Sequence, residues 1–392
     1  MTRQGARADL SFFDGELLLN LVSTALIDLS RRVLPGDPVY SDKVQSAYNH
    51  LVLRCLRESD VSAPASVAEM VEWAARRPVH AWIPNLPEEY TEPEWFLLDR
   101  ETLAPTQLCL ESSISARDAA AEQFENLLIE EALELCRAMH SAEAYTAFRE
   151  LLITKPVLTD KEIVALSVDV ELSDLHELIR RIYEPATAAH LRDEVYAECA
   201  RCHCLLIPVS DGGYLCELDR CRRDGHARVG RLLDPREGGA VSQLTRPLRM
   251  FITGPGLAEV DLRDALKRPP ARLEAKMWPN FDAYDLRIVF ADGQVWAIDV
   301  KDRVNPARLG SSAQPFRADP PFNRALLVVP QYRFDEQEAY GRVFAKHLPE
   351  DLHNQVELLS DTELLRQARA KASRIRRART TATTSEKAVD DA

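Results

Sequence analysis

"YDLRIVFADGQVWAIDVKD", residues 284–302, decides how the C-terminal half of this chain is read. Leu286, Ile288 and Phe290 alternate with Arg287 and Val289, the period-two pattern of a strand with one buried face. Ala291-Asp292-Gly293 supplies turn residues, and Val295-Trp296-Ala297-Ile298 forms a second, more apolar run. A hairpin needs no charges at its ends to fold. Yet Asp285 stands at the start of this one, and Asp299-Val300-Lys301 at its finish. Residues 299 and 301 are two apart on one strand, so both side chains point to the same face. Strands that diverge at that end bring Asp285 to the same point.

Two carboxylates, with waters and a substrate phosphate, suit Mg²⁺, or Mn²⁺ in its place, because Mg²⁺ takes few protein ligands and keeps much of its hydration. A lysine beside them can orient a water or stabilise charge on a pentavalent phosphorus. Upstream, Glu259 lies in "GPGLAEVDLRDAL" (254–266), where a helix is predicted over 257–268 after a Gly-Pro-Gly turn. It can position the lysine or hold a second ion. The bland alternative is that charged strand ends are simply solvated, with Asp285 a strand cap and Glu259 a first-turn carboxylate. A D-x-K triplet alone carries little weight. Four such residues in order on helix, strand and strand carry more, because Asp299 and Lys301 follow directly on "VWAI", where a strand without function usually continues apolar.

The remaining sequence bounds the context. A chain of 392 residues exceeds one ordinary core, so two or three domains are expected. No run approaches the ~18–20 apolar residues of a membrane span, and no basic-then-apolar signal pattern opens the sequence; a cytoplasmic location is the expectation. The net charge of −13 argues against a general nucleic-acid coat protein but not against a local basic groove. Residues 1–195 read as helix after helix: 15–34, 119–141, and two short helices within 159–186 separated near Ser173-Asp174. The stretch 76–96, rich in proline and aromatics, reads as an ordered connector. From about 245 the pattern turns to mixed α/β, with strands predicted at 272–278, 285–290, 295–300, 324–330 and 355–360 and a helix near 335–347. The tail, 366–392, holds seven Arg/Lys and no acid up to Arg379, then becomes Thr-, Ser- and acid-rich, so it is expected to be helical first and disordered at its end. A basic stretch of that kind can grip DNA or merely be a solvated helix.

Of eight cysteines, five fall within 199–221. Cys199-x2-Cys202 and Cys216-x4-Cys221 make two thiolate pairs, and Asp211-Gly212-Gly213 supplies the turn that brings them together, as in a zinc ribbon spanning 196–230. The ligand set stays open at this level. The second pair is wider than usual, no glycine follows Cys202, and Cys204, His203 and His226 are nearby alternatives. A closed set implies a structural Zn²⁺; the alternative is a group of buried, unmetallated thiols. Cys55, Cys109 and Cys136 lie in helical sequence and read as small buried hydrophobes.

The order of helix, strand and hairpin over 245–361 resembles the PD-(D/E)xK nuclease superfamily. Tyr284-Asp285 stands for its "PD" element, with Tyr replacing Pro, and Asp299-Val300-Lys301 for its "(D/E)xK" element. With the helical first half and the four-cysteine insert, the chain is similar to the restriction-endonuclease-like protein associated with prokaryotic PIWI-related (pPIWI-RE) Argonaute proteins. That resemblance implies an α+β multidomain chain: a helical domain at 1–195, a zinc-ribbon-like insert, and a C-terminal α/β restriction-endonuclease-like core at 245–365. It implies a metal-dependent DNA endonuclease with Glu259, Asp285, Asp299 and Lys301 as its chemistry, and Asp285, Asp299 and the Val300 carbonyl as Mg²⁺ ligands. It also implies a bacterial defence role against plasmids or phages, with DNA, a PIWI-domain Argonaute-like protein and a DinG-type helicase as partners. Pairing of subunits is common in the class, so a homodimer is a further expectation. Two other readings compete: a stand-alone repair nuclease, and a non-catalytic adaptor whose nuclease core is a docking platform.

Overall fold

The computed structural model describes residues 14–30, 40–57, 62–115, 119–210, 212–223, 227–269 and 272–390. The chain divides into two compact units, Met1–Phe124 and Glu125–Ala392. In the first, helices Asp14–Leu29, Asp42–Arg57, Val67–Arg76 and Gln107–Ser115 frame an irregular stretch with two 3₁₀ turns, Val79–Ala81 and Glu88–Tyr90. Trp73 packs edge-to-face on Trp82, and Tyr90 on Trp95, which orders the proline-rich connector. Among the described residues no helix is long and apolar enough to cross a membrane.

The second unit is organised around a five-stranded sheet. The elements that build this sheet and pack beside it are α1 (Ala142–Thr154), α2 (Gly254–Lys267), β1 (Ala275–Met277), β2 (Leu286–Val289), β3 (Val295–Val300), α3 (Pro306–Ser311), β4 (Arg324–Val329), α4 (Gln331–Glu336), α5 (Tyr340–His347), β5 (Val356–Ser360) and α6 (Asp361–Asp390). Strand order is β5-β4-β3-β2-β1. The β1–β2 and β2–β3 pairs are antiparallel, with Leu286 opposite Met277 and Ile298, and β3–β4 and β4–β5 are parallel. The hairpin alternation holds: Leu286, Ile288 and Phe290 are buried, while Val289 is exposed. Every residue of 295–298 is buried because β3 is the central strand, covered on both faces. Gly293 takes the turn with φ +83, a conformation that favours glycine.

Helix α2 begins directly after a π-helical turn, Arg249–Thr253, and buries Leu257, Ala258, Val260, Leu262 and Leu266 against the sheet. It lies tight on α1. A Cβ at Gly256 would meet Ile153 Cδ1 at 2.4 Å, and the Thr253 hydroxyl donates to the Leu152 carbonyl at 2.6 Å. The helix expected near 335–347 is two, α4 and α5, parted at Gln337, whose φ of −136° is extended. The break lets buried Tyr340 turn inward and donate to the Arg303 carbonyl at 2.8 Å. Helix α6 runs through Asp390, past the Thr/Ser-rich composition change. Two helices do occupy 159–186, Asp160–Leu166 and His176–Ile182, and Ser173-Asp174 lies in the gap between them; the first is capped by a Thr159–Glu162 capping box and the second has no side-chain cap.

Candidate active site

Asp285 is the last residue before β2, and its backbone carbonyl accepts from the Trp278 N–H at 2.8 Å. Its side chain is buried, and Oδ2 accepts the Val300 N–H at 2.6 Å. Lys301 follows β3 and donates Nζ to Asp299 Oδ1 at 2.8 Å, while Asp285 Oδ2 lies 3.5 Å from the same ammonium. The backbone N–H of Lys301 donates to the Val328 carbonyl, so the parallel pairing with β4 extends one residue beyond the strand and holds the lysine in place. Asp285, Asp299 and Lys301 thus meet at the C-terminal edge of β3. Asp299 and Lys301 keep 26% and 36% of their side chains exposed, so the site is open to solvent.

Electrostatics set the carboxylates apart. Burial, then the nearby charges of Glu259 and Asp299, push Asp285 well above the ordinary carboxylate range. Burial also works against ionised Asp299, but Lys301 and a hydrogen bond with Asp285 hold it below that range. Two carboxyls that must share a hydrogen bond to coexist are the donor chemistry a hard divalent cation satisfies. Burial disfavours charged Lys301, yet Asp285 and Asp299 together raise it. Glu259 is buried on α2 and accepts the Trp278 indole N–H at 2.6 Å. Burial raises it; Arg149 and then Lys301 act in the opposite sense. The four residues singled out in the sequence therefore sit in one electrostatic group, with Lys301 bonded to the two aspartates.

The rim is built from residues on both sides of the hairpin. Trp278 is fully buried and bonds Glu259; Trp296 is also buried, against Phe290. Asp282 accepts from the Tyr145 hydroxyl at 3.1 Å, and Tyr284 is buried with its hydroxyl donating to the Pro320 carbonyl. Asn280 reaches Asp319, and Arg317 donates to the Phe281 carbonyl at 3.0 Å. The loop after Ser311-Ser312, with Gln314 and Arg317, thus packs on the 278–284 loop. Tyr145 and Arg149, both on α1, were not among the sequence candidates. A signal existed: Arg149 stands four residues after Tyr145 and beside Phe148, a charge at helical spacing among apolar residues that should be buried.

Two family models match the chain. Residues 256–376 match the one described as "REase associating with pPIWI_RE", and residues 18–159 match "pPIWI_RE three-gene island domain Y". The chain carries the REase-like domain of pPIWI_RE systems. All four candidate residues, Glu259 to Lys301, fall within that REase match. No curated protein and no solved structure matches the chain.

The cysteine cluster stands beside the REase domain. Cys199, Cys202, Cys216 and Cys221 are buried, with their sulfurs within 4.8 Å of one another. Four sulfurs bound to one Zn²⁺ at ~2.3 Å would stand about 3.8 Å apart, so the set fits a tetrahedral ion. The Cys202 and Cys216 sulfurs are 3.5 Å apart, too far for a disulfide at ~2.05 Å, and all eight cysteines are free. Hydrogen bonding among the thiols pulls Cys199 down and drives Cys202 and Cys216 up, the mark of a group that cannot ionise together without a cation. The missing glycine after Cys202 is replaced by His203, which takes the left-handed conformation at φ 62 and donates its N–H to the Cys199 carbonyl at 3.0 Å. Strands Ile207–Pro208 and Tyr214–Leu215 form the hairpin between the pairs, with Gly212 at φ +88. The wider second spacing is taken up by a single helical turn, Asp219–Arg222, that carries Cys221. Cys204 is buried outside the four-sulfur group, and His203 is exposed. His226 and Asp211 lie outside the described residues.

The turn that carries Cys221 also contacts the REase core. Buried Arg220 donates to Asp261 Oδ2 on α2 at 3.0 Å. Arg223 pairs with Glu336 and stands over the Tyr332 ring. Glu336 and Tyr332 flank Arg333, which forms a fully buried ion pair with Asp302 at 2.8 Å, one residue beyond Lys301.

Proposed function

We propose that the chain is a divalent-metal-dependent DNA endonuclease acting within a pPIWI_RE defence system directed against plasmids or phages. The observation that carries this reading is the meeting of Asp285, Asp299 and Lys301 at the open edge of β3, inside a domain of REase type. Asp285, Asp299 and the Val300 carbonyl would hold Mg²⁺ or Mn²⁺, which when bound supplies Lewis-acid stabilisation of phosphate charge and a more acidic water.

The protein's own groups do the rest. Lys301, anchored by Asp299, orients the attacking water and places its charge beside the non-bridging oxygens as they gain electron density. A bond forms from the water oxygen to phosphorus as the opposite P–O ester bond breaks; the attacking water gives up a proton to solvent and the departing oxygen takes one up. No covalent bond to the enzyme is required. Glu259, held by Trp278, backs the site with a third carboxylate. The buried cysteine set would hold a structural Zn²⁺, since four thiolates leave no position open for substrate. The family description supports a PIWI-type partner, and a DinG-type helicase completes the assembly that the resemblance implies.

The test is cleavage of supercoiled plasmid by purified protein with Mg²⁺ or Mn²⁺, alone and with its candidate PIWI partner. Nicked or linear product, absent with chelator and with Asp299→Ala, is expected. If neither metal nor partner yields cleavage, the adaptor reading replaces this one. Cleavage that needs no partner would favour a stand-alone nuclease.

A further inference from the structure

Helix α1 lies outside the REase match, within the segment matching domain Y, yet it delivers two side chains to the edge of the site. Tyr145 is buried and bonds Asp282. One turn on, the Arg149 guanidinium places Nη2 3.8 Å from Glu259 Oε2 and Nε 3.8 Å from Asp282 Oδ2, with its side chain 11% exposed. It stands 5.5 Å from the centre of the Trp278 ring, whose indole bonds the same Glu259. At 3.8 Å these are ion pairs rather than hydrogen bonds, and Nε is buried without a hydrogen-bond partner. A guanidinium taken out of water is tolerated only among compensating charges. Here Asp282, Glu259 and, further off, Asp285 provide them.

The segment it faces is strained. Trp278, Asn280, Phe281 and Asp282 have φ of 41, 48, 56 and 65, left-handed values that non-glycine residues keep only when their surroundings impose them. Arg149 and Tyr145 restrain its end at Asp282. Arg317 and Asp319 restrain its middle. Three residues after Asp282 comes Asp285.

We propose that Arg149 is a positioning residue of the nuclease centre, contributed by the domain-Y segment: it fixes Glu259 against Trp278 and clamps the left-handed loop that presents Asp285. The helix at the C-terminal end of the domain-Y match and the REase domain thereby complete one site within the second unit. The inference rests on the nuclease reading for its catalytic consequence, but the clamp itself is a physical statement about residues 278–285.

The test compares wild type with Arg149→Ala, Arg149→Lys and Tyr145→Phe in the full chain. Arg149 does not face solvent enough to bind DNA, so Arg149→Ala is expected to lower kcat by roughly a hundredfold, as misplacement on the ångström scale does, with KM for DNA nearly unchanged. Guanidinium at tens of millimolar restores part of that rate, whereas urea at equal concentration does not. Arg149→Lys, which keeps the charge but not the fork, falls in between. Amide exchange across 278–285, measured without DNA, accelerates in Arg149→Ala while 295–300 stays protected. Should Arg149→Ala not fold, Tyr145→Phe removes one hydroxyl and is expected to show the same exchange pattern in weaker form. Unchanged exchange across 278–285 overturns the clamp whether or not the protein cuts DNA. A raised KM at constant kcat, or a rate loss that guanidinium cannot restore, overturns the positioning role. A wild type that cuts nothing sinks the nuclease reading alone, and the exchange data then decide the clamp.

Discussion

The cysteine cluster and the carboxylate–lysine centre are assembled alike and finished differently. Each gathers ionisable side chains from the ends of a hairpin and from a neighbouring helix, and in each burial and close neighbours set the titrations of like groups apart. The cysteine set is closed: its four sulfurs are buried and lie within 4.8 Å of one another, a number and spacing that suit one tetrahedral ion. The other set is half open, with Asp299 and Lys301 still reaching solvent. A closed set spends its ion on folding, while an open one leaves room for water and substrate. The same kind of substitution should therefore have opposite consequences in the two places.

The largest effect belongs to the closed set. One zinc per chain is expected by elemental analysis, and Cys216→Ala should abolish it. Because apparent zinc-binding free energies of structural sites are on the order of 10 kcal/mol, the module should not fold without the ion. All four cysteines belong to the continuous core of the second unit, so thermal unfolding of that whole unit should shift downward. Full zinc retention in the variant would break the comparison at its first term.

At the open set, Asp299→Ala and Asp285→Asn should lower cleavage by on the order of a thousandfold or more, the scale of losing several kcal/mol of charge stabilisation. Stability should move the other way. Asp285 is a carboxyl that burial and neighbouring acids disfavour in its charged form, so an isosteric amide relieves the fold as it removes the function. A melting temperature equal to or above wild type, with activity gone, is the expected pair of readings. A large fall in melting temperature would mean that the carboxylate serves the fold.

Between the two sets runs the buried pair Asp302–Arg333. Asp302→Ala leaves the buried Arg333 guanidinium with the half-exposed Glu336 as its remaining carboxylate partner and should cost on the order of 3 kcal/mol in denaturant unfolding. Burial opposes the charge on Asp302, but Arg333 and the Tyr332 hydroxyl hold it below the usual carboxylate range. A depressed folded-state value means the pair's contribution is fully present above the unfolded value, near pH 4, and fades as pH falls through the folded one. Wild type and Asp302→Ala should therefore converge in stability in acid and stay apart at neutral pH.

How much of this was written in the sequence differs between the regions for a physical reason. The hairpin and its D-x-K end are local: alternation, turn and triplet lie within nineteen consecutive positions, so the strand period alone places Asp299 and Lys301 on one face. The zinc pairs are nearly as local, although a search for glycine misjudged the knuckle, because His203 adopts the left-handed conformation itself. Glu259 was found through element order rather than distance. Arg149 was missed because nothing in residues 142–154 points to a loop well over a hundred positions away; that contact is set by how closely α1 lies on α2. Asp302 escaped for a related reason. Its partner stands 31 positions on, across a strand and into the break-prone helix pair that begins with α4.

That close approach of α1 and α2 supplies the smallest effect and a way to sharpen the comparison. Gly256 lets α2 lie against Ile153, and an added Cβ would meet Ile153 Cδ1 at 2.4 Å and Cγ1 at 2.5 Å. Ile153 is completely buried, so its side chain has little room to turn away. Overpacking of this kind costs about 1–3 kcal/mol, whereas replacing an interior helical glycine by alanine returns up to ~1 kcal/mol. Gly256→Ala should therefore destabilise by about 1 kcal/mol net in denaturant unfolding. Combined with Ile153→Ala, which vacates the contact, the two changes should cost measurably less than the sum of their separate effects, since the residues touch. The zinc content should stay at wild-type level throughout, because the cysteines are not displaced. Cleavage should respond, since Ile153 lies one helical turn beyond Arg149 on α1 and any shift of that helix moves the guanidinium away from Glu259. Additive stabilities would show that the helices part freely, and cleavage indifferent to the helix spacing would show that α1 does not govern the open site.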